Sequence, residues 1–552
     1  MDLGKSSEST GAAWEELTGA RVVRLNHYRQ KVEDPRTAGQ ILRQWNGKLL
    51  DSHGLDWWEL TCLFVHSALE TAIALRRLAA EGSLEGDLHT TRSGWPASGL
   101  ADLLGRKAQA FSEDDNAPAS GKLRHLSATL SRLSRSQIVE ILWDKYDADY
   151  RWRGRLAKNR VPGTKPVVLL PSAYTNVSRG ASAYAQLLPE QDFLLVATRS
   201  SGLRFNRPAN VQVARLEEFA SGIDTSREFA DLDQGWRLLR EQFASVPEMS
   251  MLHSAGLLDP ISGLIRSGIA VRDAWLQVLD REPVTAVLCG DDSNWFTRIP
   301  VVVARKHRLP TLDFHHGAFD GRFLLKDLTS EFYLAKNEME RDYLLRVCQL
   351  PTDRIVTCGL PPHSAAGKRA SNQDARIVFF SEPYESTGGR PEEVYRELLP
   401  PLFQLASKHG RRIAVKLHPF ENATERTRLV EDALGPGWNE KIEIISGPTT
   451  TYVLDSTWFG IAVESSAVVD CVRHNVPCFH CAWLTSTSFG YSEQYARFGV
   501  GRLLRSAEEI VEIPAILASA AFSTASLDLP PSPDILRKLL ARQESLAVTE
   551  AR

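Results

Sequence analysis

The chain has little cysteine for its length and little excess of charge. Its 552 residues include seven cysteines, an odd number scattered along the sequence. Such usage indicates reduced thiols in a cytoplasmic protein and argues against the disulfide framework of a small secreted one. The formal net charge of −3 argues against a general nucleic-acid-binding protein, which presents a basic surface. We therefore expect a cytoplasmic protein with no nucleic acid among its partners.

Long hydrophobic runs are lacking as well. The first 20 residues have neither the basic start nor the apolar core of a signal peptide. The most apolar stretch, Leu60–Leu75, contains His66 and Glu70 and is shorter than the about 20 apolar residues that cross a bilayer. We therefore expect neither a secretory signal peptide nor a membrane span.

The composition is that of a globular protein, with 43% hydrophobic and 24% charged residues. The first part, residues 1–160, is predicted to be helical, because Asp56–Gly82 repeats apolar residues at steps of three and four. A basic linker, Arg151–Lys165, follows. It suits peripheral contact with anionic lipid of the inner membrane, contact with a phosphorylated glycan, or simple solvation, and solvation is the favoured interpretation.

After Lys165 the pattern changes to short apolar runs separated by helical stretches, which is typical of parallel strands covered on both faces. The predicted strands are 166–170, 193–198, 285–289, 300–304 and 310–314, then 376–381, 412–417, 441–446, 458–463 and 477–482. A linker at Pro361–Ala375 separates the two series, and neither contains a Gly-rich dinucleotide fingerprint.

The sequence therefore predicts an α/β protein with two Rossmann-like domains, preceded by an α-helical N-terminal region. The predicted domains are 1–160 (helical region), 166–365 and 376–515 (the two Rossmann-like domains) and 516–552 (C-terminal helical tail).

The stretch RRIAVKLHPFEN, residues 411–422, places a histidine and a proline at the end of a predicted strand. Pro419 stops the hydrogen-bond ladder and stiffens the backbone. His418 would then lie at the carboxyl edge of the sheet, where open α/β sheets bind ligands. Lys416 precedes it by two residues. Together they suit a phosphate, although a strand-ending turn with a solvated histidine explains the same residues.

Two further strand ends in the second half carry polar groups. Glu382 follows the predicted strand 376–381, and Glu464, Ser465 and Ser466 follow the strand 458–463 and open an apolar helix. Serines at a helix start suit a phosphate, and an ordinary N-cap is the alternative. We assign these residues, with Lys416, His418 and Pro419, to donor phosphate or nucleotide binding.

The first half offers a candidate base. Asp291 and Asp292 follow one predicted strand, and His315 and His316 follow the next. A carboxylate or an imidazole there would accept the proton of an acceptor hydroxyl. The structural alternatives are a capped turn for the aspartates and a packed histidine. We assign Asp291, Asp292 and His316 as catalytic candidates without choosing between them.

The first strand-to-helix turn, Pro171–Gly180, is polar and aromatic. We assign Tyr174 and Asn176 from this turn, together with His315, to acceptor binding, although many α/β loops have this composition.

One cysteine-rich stretch has spacings that suit zinc. Cys471, His474, Cys478 and Cys481 lie within CVRHNVPCFHC. The neighbouring apolar residues favour a helix end that runs into a buried strand, where cysteine is a common core residue. We expect no metal.

Four motifs together carry a resemblance. FHHG, KLHP, ESSAVVDCVRHNVPCFH and YARFGVGRLL resemble those of bacterial GT-B glycosyltransferases of surface-polysaccharide synthesis. The similarity is to Kdo- and polysialyl-type capsule transferases and to CDP-glycerol glycerophosphotransferases. It covers about residues 166–515 and leaves out the helical first part.

The resemblance implies a role for several of the residues above. His418, Ser465 and Ser466 would hold the donor phosphate, and Asp291, Asp292 or His316 would act as the base. It implies a nucleotide-activated sugar as co-substrate, no other cofactor, and a glycan or lipid-linked acceptor. A CDP-glycerol-type polymer phosphotransferase, a nucleotide-sugar 2-epimerase and a catalytically silent glycan- or partner-binding protein remain alternatives.

Overall fold

The fold is described by a computed structural model that carries side chains. It describes residues 37–80, 88–90, 108–110, 160–220, 224–292, 295–317, 329–359, 375–384, 391–418, 421–447, 451–485, 491–519 and 530–541, with residues 99, 103, 105 and 449 singly. Two strands, β1 (Leu88–Thr90) and β2 (Ala108–Ala110), form a small parallel pair within the first 160 residues.

The first large sheet has seven parallel strands, paired in the order β5-β4-β3-β6-β7-β8-β9. Their bounds are β3 (Val167–Ser172), β4 (Phe193–Ala197), β5 (Val211–Arg215), β6 (Val284–Cys289), β7 (Thr311–Asp313), β8 (Phe332–Ala335) and β9 (Ile355–Thr357). Every residue of β3 is buried, as expected of a strand with helices on both faces.

The second large sheet has six parallel strands, paired in the order β12-β11-β10-β13-β14-β15. Their bounds are β10 (Arg376–Phe380), β11 (Ile413–Lys416), β12 (Ile442–Ile445), β13 (Thr457–Ala462), β14 (Cys478–Cys481) and β15 (Arg502–Leu504). Two Rossmann-like sheets preceded by helices confirm the predicted fold class.

The helices of the described part alternate with these strands. They are α1 (Thr37–Arg43), α2 (Trp57–Thr61), α3 (His66–Ala80), α4 (Thr175–Gln186), α5 (Ser226–Gln242), α6 (Pro247–Ser254), α7 (Pro260–Arg281), α8 (Trp295–Lys306), α9 (Glu338–Arg346), α10 (Pro391–Lys408), α11 (Ala423–Leu434), α12 (Thr451–Asp455), α13 (Ala467–Arg473), α14 (Tyr491–Arg497), α15 (Ile513–Ala518) and α16 (Pro533–Leu540). None of these helices combines the length and the apolar character needed to cross a membrane.

Most of the predicted strands coincide with observed strands, but the prediction at 300–304 was wrong. These residues lie inside α8, where Ile299, Val301 and Val303 are buried in the same core as the N-terminal helices. A short apolar run looks the same in a helix buried on two sides as in a buried strand, so periodicity alone did not distinguish them. Strands β5, β8, β9 and β15 were not predicted.

The helical prediction for the first 160 residues is only partly matched. The predicted helix at 56–82 is divided in two: Asp56 accepts a hydrogen bond from the Trp58 amide at 3.0 Å and begins α2, and a short turn at Cys62–Phe64 separates α2 from α3. The pair β1 and β2 was not predicted. Residues 151–159 of the basic linker lie outside the described residues.

Contacts join the parts of the chain. α9 of the first domain packs in one apolar cluster with residues of α13 and α14 of the second. Across this contact Gln494 donates to the Met339 carbonyl at 2.9 Å and to Asp342 at 2.8 Å.

Leu536 of α16 is buried in the core of the first sheet, so the C-terminal helix returns to that domain. The predicted domain limits stay predictions, since most of the linker between the series is outside the described residues.

The N-terminal helices are fixed to the first domain by aromatic packing and by a buried ion cluster. Trp58 stacks on Trp236 of α5 at 5.9 Å between ring centroids. The Arg272 guanidinium on α7 lies 2.7 Å from Asp51 and 2.6 Å from both Glu228 and Asp273. The side chains of Arg272 and Asp51 are 2% and 0% exposed, so neither charge has water as an alternative partner.

Arg272→Met is therefore expected to destabilise the protein strongly. It leaves buried carboxylates without their cation, and breaking a buried ion pair costs about 3–5 kcal/mol. Arg237→Met is the matched control, because Arg237 pairs with Asp233 at 2.6 Å but is 77% exposed, and such surface pairs contribute about 0–1 kcal/mol. Urea unfolding midpoints measure the difference; equal midpoints would show that the cluster does not hold the N-terminal segment.

Candidate active site

The strand order of each large sheet reverses direction once. In the first sheet the chain proceeds from β3 to β4 and β5 and then returns to place β6 on the other side of β3. The second sheet repeats this pattern: the chain proceeds from β10 to β11 and β12 and then places β13 on the other side of β10. Loops that leave the two central strands in opposite directions open a crevice at the carboxyl edge, where α/β proteins bind ligands. The crevices lie after β3 and β6 and after β10 and β13.

In the first crevice, Tyr174 and Asp291 meet. Tyr174 precedes α4, Asp291 follows β6, and the tyrosine hydroxyl donates a hydrogen bond to the Asp291 carboxylate. Asp291 is fully buried and Tyr174 is half-buried. The sequence had placed Tyr174 with the acceptor and Asp291 with catalysis; the structure brings the two side chains into direct contact.

His316 lies beside this pair. Its Nδ1 is 3.0 Å from the Gly290 carbonyl, and its ring centroid is 5.6 Å from that of Tyr174. A carbonyl accepts, so Nδ1 carries the proton and Nε2 is the basic nitrogen. His316 is half-buried, whereas His315 is buried with its ring 5.3 Å away.

Asp292 faces a different environment from Asp291. It is fully buried, and its charge contributes to raising the pKa of Arg298 on α8, as does that of Glu59. Arg298 lies 3.4 Å from Glu59 of α2 and is 3% exposed. Asp292 thus acts electrostatically on an arginine that also pairs with the N-terminal helices, and its catalytic role stays a prediction.

In the second crevice, His418 follows β11 and is half-buried. Burial, together with the charges of Lys416 and His316, lowers the pKa of His418 to about 4. The influence of His316 is informative, because that residue belongs to the other sheet. His316 and His418 therefore lie within electrostatic reach of each other, although they follow strands of different sheets.

Lys416 is more enclosed than the sequence suggested. It is 3% exposed, and its ammonium donates to the carbonyls of Leu417 at 2.5 Å and Gly447 at 2.6 Å. Burial lowers the pKa of Lys416, and the Glu421 carboxylate opposes that effect. Its ammonium thus joins β11 to the loop after β12. Its positive charge contributes to the lowered pKa of His418.

Glu382 and Glu464 form a carboxyl pair at the central crossover of the second sheet. The Glu464 amide donates to Glu382 at 3.1 Å, and the Glu382 side chain is hydrogen-bonded to Ser465. Burial, followed by the charge of Glu464, raises the pKa of Glu382 to about 8. Glu382 is thus largely protonated at neutral pH and is a hydrogen-bond donor as well as an acceptor.

Three of the remaining predicted residues, Ser465, Ser466 and Asn176, lie in the described part of the chain. Ser466 is exposed and precedes α13, and the Ser465 hydroxyl accepts from the Ala467 amide at 3.3 Å. Asn176 is exposed in the first turn of α4. Pro419 lies outside the described residues. The binding roles assigned to these residues stay predictions.

Sequence reasoning missed two residues that shape the site. Gly290 supplies the carbonyl that orients His316, and Glu421 accepts a hydrogen bond from the His418 amide at 2.6 Å. A signal for Glu421 was present, since an acid three residues after a strand-ending histidine can reach back to that backbone. Nothing in the sequence marked Gly290 apart from its neighbours.

The cysteine-rich stretch is interior. Cys471, Cys478 and Cys481 are buried free thiols, and Cys478 donates to the Val468 carbonyl at 3.7 Å. Across the part of the chain that the structure describes, no group of three or more His, Cys, Asp or Glu side chains is arranged to hold a metal ion.

No protein family matches the sequence, and no curated protein matches it. Solved structures show distant similarity. A UDP-GlcNAc 2-epimerase from Methanocaldococcus jannaschii, in complex with UDP-GlcNAc and UDP, has 13% identity and a TM-score of 0.44, over 69% of this chain and 100% of that one. The wall teichoic acid polymerase TagF has 11% identity and a TM-score of 0.40, over 78% and 98%. The calicheamicin glycosyltransferase CalG4 has 11% identity and a TM-score of 0.39, over 70% and 95%. Because these similarities are distant, the fold assignment rests on the strand order of the two sheets.

Gly290→Ala is expected to destabilise the protein and displace His316. A Cβ at Gly290 would lie 2.5 Å from Phe314 Cζ and 3.0 Å from Val177 Cγ1, both in the packed interior, and overpacking a core costs about 1–3 kcal/mol. Gly263→Ala in α7 is the matched control, since its Cβ would meet nothing within 4 Å and alanine favours a helix. Thermal unfolding compares the two variants; a Gly290→Ala protein as stable as the control would contradict the packing described.

Proposed function

We propose that this protein is an enzyme that transfers a glycosyl group from a nucleotide-activated donor to a hydroxyl acceptor. The observation that carries the proposal is that His418 and His316, one from each large sheet, lie within electrostatic reach of each other. Each follows a strand of a different sheet, and the charge of His316 lowers the pKa of His418. Basic groups that converge on one cleft from two domains suit a substrate with an anionic portion and a reacting portion.

The donor phosphate is assigned to the second domain. His418 is neutral in the ligand-free protein because it is partly buried and faces Lys416 and His316. A phosphate placed against its ring would favour the protonated imidazole, since an opposite charge favours the charged form. Binding would then create a charge-assisted hydrogen bond, which is stronger than a neutral one.

The carboxyl pair does not oppose this assignment. Glu382 has a pKa raised to about 8 by burial and by Glu464, so at neutral pH it brings a proton rather than a negative charge to the site. With Ser465 it supplies polar groups that suit the oxygens of the nucleotide portion.

The acceptor proton is assigned to His316. Of the catalytic candidates, Asp291 and Asp292 are fully buried, whereas His316 is half-buried and has Nδ1 fixed on the Gly290 carbonyl. A general base must reach the proton that it removes. The Tyr174–Asp291 contact lines the wall of the same crevice and would orient the acceptor.

The proposed step is a displacement at the anomeric carbon of the donor sugar. The acceptor oxygen forms a bond to the anomeric carbon while the bond between that carbon and the donor phosphate oxygen breaks. The acceptor proton passes to His316 Nε2. The electron pair of the broken bond stays on the leaving phosphate, whose charge is stabilised by His418 and by the Lys416 ammonium beneath it.

A nucleotide-sugar 2-epimerase is the second candidate, and the pair Glu382 and Glu464 favours it, because epimerisation needs several carboxyl groups around one sugar. Incubation with UDP-GlcNAc and no acceptor separates the two candidates. Formation of the epimer indicates an epimerase, whereas unchanged donor favours the transferase.

A CDP-glycerol-type phosphotransferase would use the same anion site with another donor. Surface-polysaccharide synthesis, a cytoplasmic location and contact with the inner membrane remain part of the proposal.

The donor class is tested by thermal shift with CMP-, UDP-, GDP- and CDP-linked donors. A ligand present at 100 times its Kd stabilises the folded state by about 2.7 kcal/mol, so the cognate donor should raise the unfolding temperature measurably. No shift with any of the four classes would contradict the proposal.

His418→Ala is expected to keep the fold and weaken donor binding. The side chain is half-buried at the cleft, and losing a hydrogen bond to a charged group costs about 1.5–3 kcal/mol, or roughly 10- to 150-fold in Kd. His409→Ala is the control, because His409 is exposed near the amino edge of the same sheet. Calorimetric titration of the nucleotide measures both, and an unchanged Kd in folded His418→Ala protein would remove His418 from the donor site.

His316→Ala is expected to lower turnover and leave nucleotide affinity nearly unchanged. A general base contributes typically about 10²–10⁴-fold to the rate and acts on the acceptor, not on the donor. Asp291→Asn is expected to have a smaller effect, since the amide oxygen still accepts from Tyr174. Turnover and Kd are measured together for both variants. A larger loss in Asp291→Asn would make Asp291 the base, and a lost nucleotide affinity in both would move the donor to the first domain.

A further inference from the structure

Glu421 is a buried carboxylate at the donor side of the cleft. Its side chain is 0% exposed, and its charge is balanced by Arg426 of α11, with Nε 2.7 Å from the carboxylate and a side chain 3% exposed. A buried ion pair is expensive to desolvate and seldom adds net stability. Stability alone therefore does not explain why this ion pair lies next to the cleft.

The carboxylate joins three elements of the second domain. One oxygen accepts from the Ser381 hydroxyl and from Arg426 Nε, each at 2.7 Å, and the other accepts from the His418 amide at 2.6 Å. Ser381 follows β10, His418 follows β11, and Arg426 is on α11. The carboxylate thus connects the ends of two neighbouring strands to the helix that follows.

The contact with His418 is reciprocal. While the His418 amide donates to the Glu421 side chain, the Glu421 amide donates to the His418 carbonyl at 3.0 Å. The two bonds join the backbone amide and carbonyl of His418 to Glu421. Asn422, the next residue, accepts from the Thr424 amide at 2.9 Å and begins α11, so Glu421 directly precedes a regular helix.

We propose that Glu421 is the positioning residue that holds the His418 imidazole in the cleft opposite His316. The proposal rests on the function proposed above for His418, and it concerns the orientation of that side chain, not contact with the substrate. An acid at this place gives the ring a defined direction, because the two backbone groups of His418 are bound before any ligand arrives. Preorganisation of this kind reduces the conformational entropy that is lost when a ligand binds.

The proposal predicts a change in His418 itself. Burial, Lys416 and His316 hold its pKa at about 4, below the ordinary value of 6.5. If Glu421 is replaced by glutamine, the amide has only one oxygen for the three donors, and its NH₂ group faces either His418 or Arg426. Loss of the hydrogen bond between the His418 amide and the carboxylate would expose the ring and move its pKa upward. Loss of negative charge alone would move the pKa downward, since a nearby anion favours the imidazolium. The direction therefore separates positioning from simple electrostatics.

The experiment is an NMR titration of ligand-free protein labelled at histidine Cε1, with the His418 signal identified by its loss in His418→Gln. Glu421→Gln is expected to raise the His418 pKa by about one unit or more, a roughly tenfold change in proton affinity. Glu421→Asp keeps the charge beside Arg426 but shortens the reach, so it should raise the pKa in the same direction by less. Glu425→Gln is the matched control, exposed on the first turn of the same helix, and should leave the pKa near 4. If Glu421→Gln does not fold, Glu421→Asp decides. A His418 pKa that stays at about 4 or falls in every folded Glu421 variant would overturn the proposal.

Binding of CMP, UDP, GDP and CDP, measured by calorimetry in the same variants, distinguishes this inference from the proposed function. If the native protein binds none of these nucleotides, the function proposed for His418 fails on that result, while the titration still decides whether Glu421 positions the ring. If the native protein binds one of them, Glu421→Gln should weaken binding about as much as His418→Ala, and Glu425→Gln should not. Unchanged affinity in Glu421→Gln would overturn the positioning role in binding.

Discussion

Parallel strand pairing is the constraint on which the rest of this structure depends. Each parallel strand must be reached by a crossover that returns to the same end of the sheet, so every loop that leaves a carboxyl end gathers at one edge. In both large sheets the chain then reverses its direction of growth between two central strands. The crevice that results is a consequence of chain connectivity, and it is where Tyr174, Asp291, Glu382 and Glu464 lie.

Charge at this edge is arranged in two layers. The inner layer is buried and internally balanced: Lys416 on backbone carbonyls, Glu421 on Arg426, and Arg298 beside Glu59. The outer layer consists of His316, His418 and Glu382, which are only partly buried. The pKa values of His418 and Glu382 are shifted in opposite directions, toward the neutral form of each. His418 and Glu382 are therefore neutral at neutral pH without ligand, which suits a substrate that brings charge with it.

The N-terminal helices contribute to this site indirectly. Glu59 of α2 reaches Arg298 on α8, and α8 directly follows the loop that carries Asp291 and Asp292. The Arg272 cluster fixes the same helical segment to α7. The helical segment is therefore packed into the first domain as part of its core, and its removal would disturb the loop after β6.

The sequence by itself determined the fold class and the strand ends that matter. Continuous apolar runs can only be strands or helices buried on both faces, and polar residues directly after them fall at the carboxyl edge whatever the details of packing. For that reason His316, His418, Glu382 and Glu464 could be named from the sequence.

Only the tertiary structure decided which polar residues contact each other. Residues 300–304 form part of α8, in a core shared with the N-terminal helices. Lys416 turned inward because two carbonyls lie within reach. Asp291 and Asp292 acquired different partners, and Glu421 was joined to Ser381, His418 and Arg426. These outcomes depend on contacts between segments distant in sequence, which no local pattern encodes.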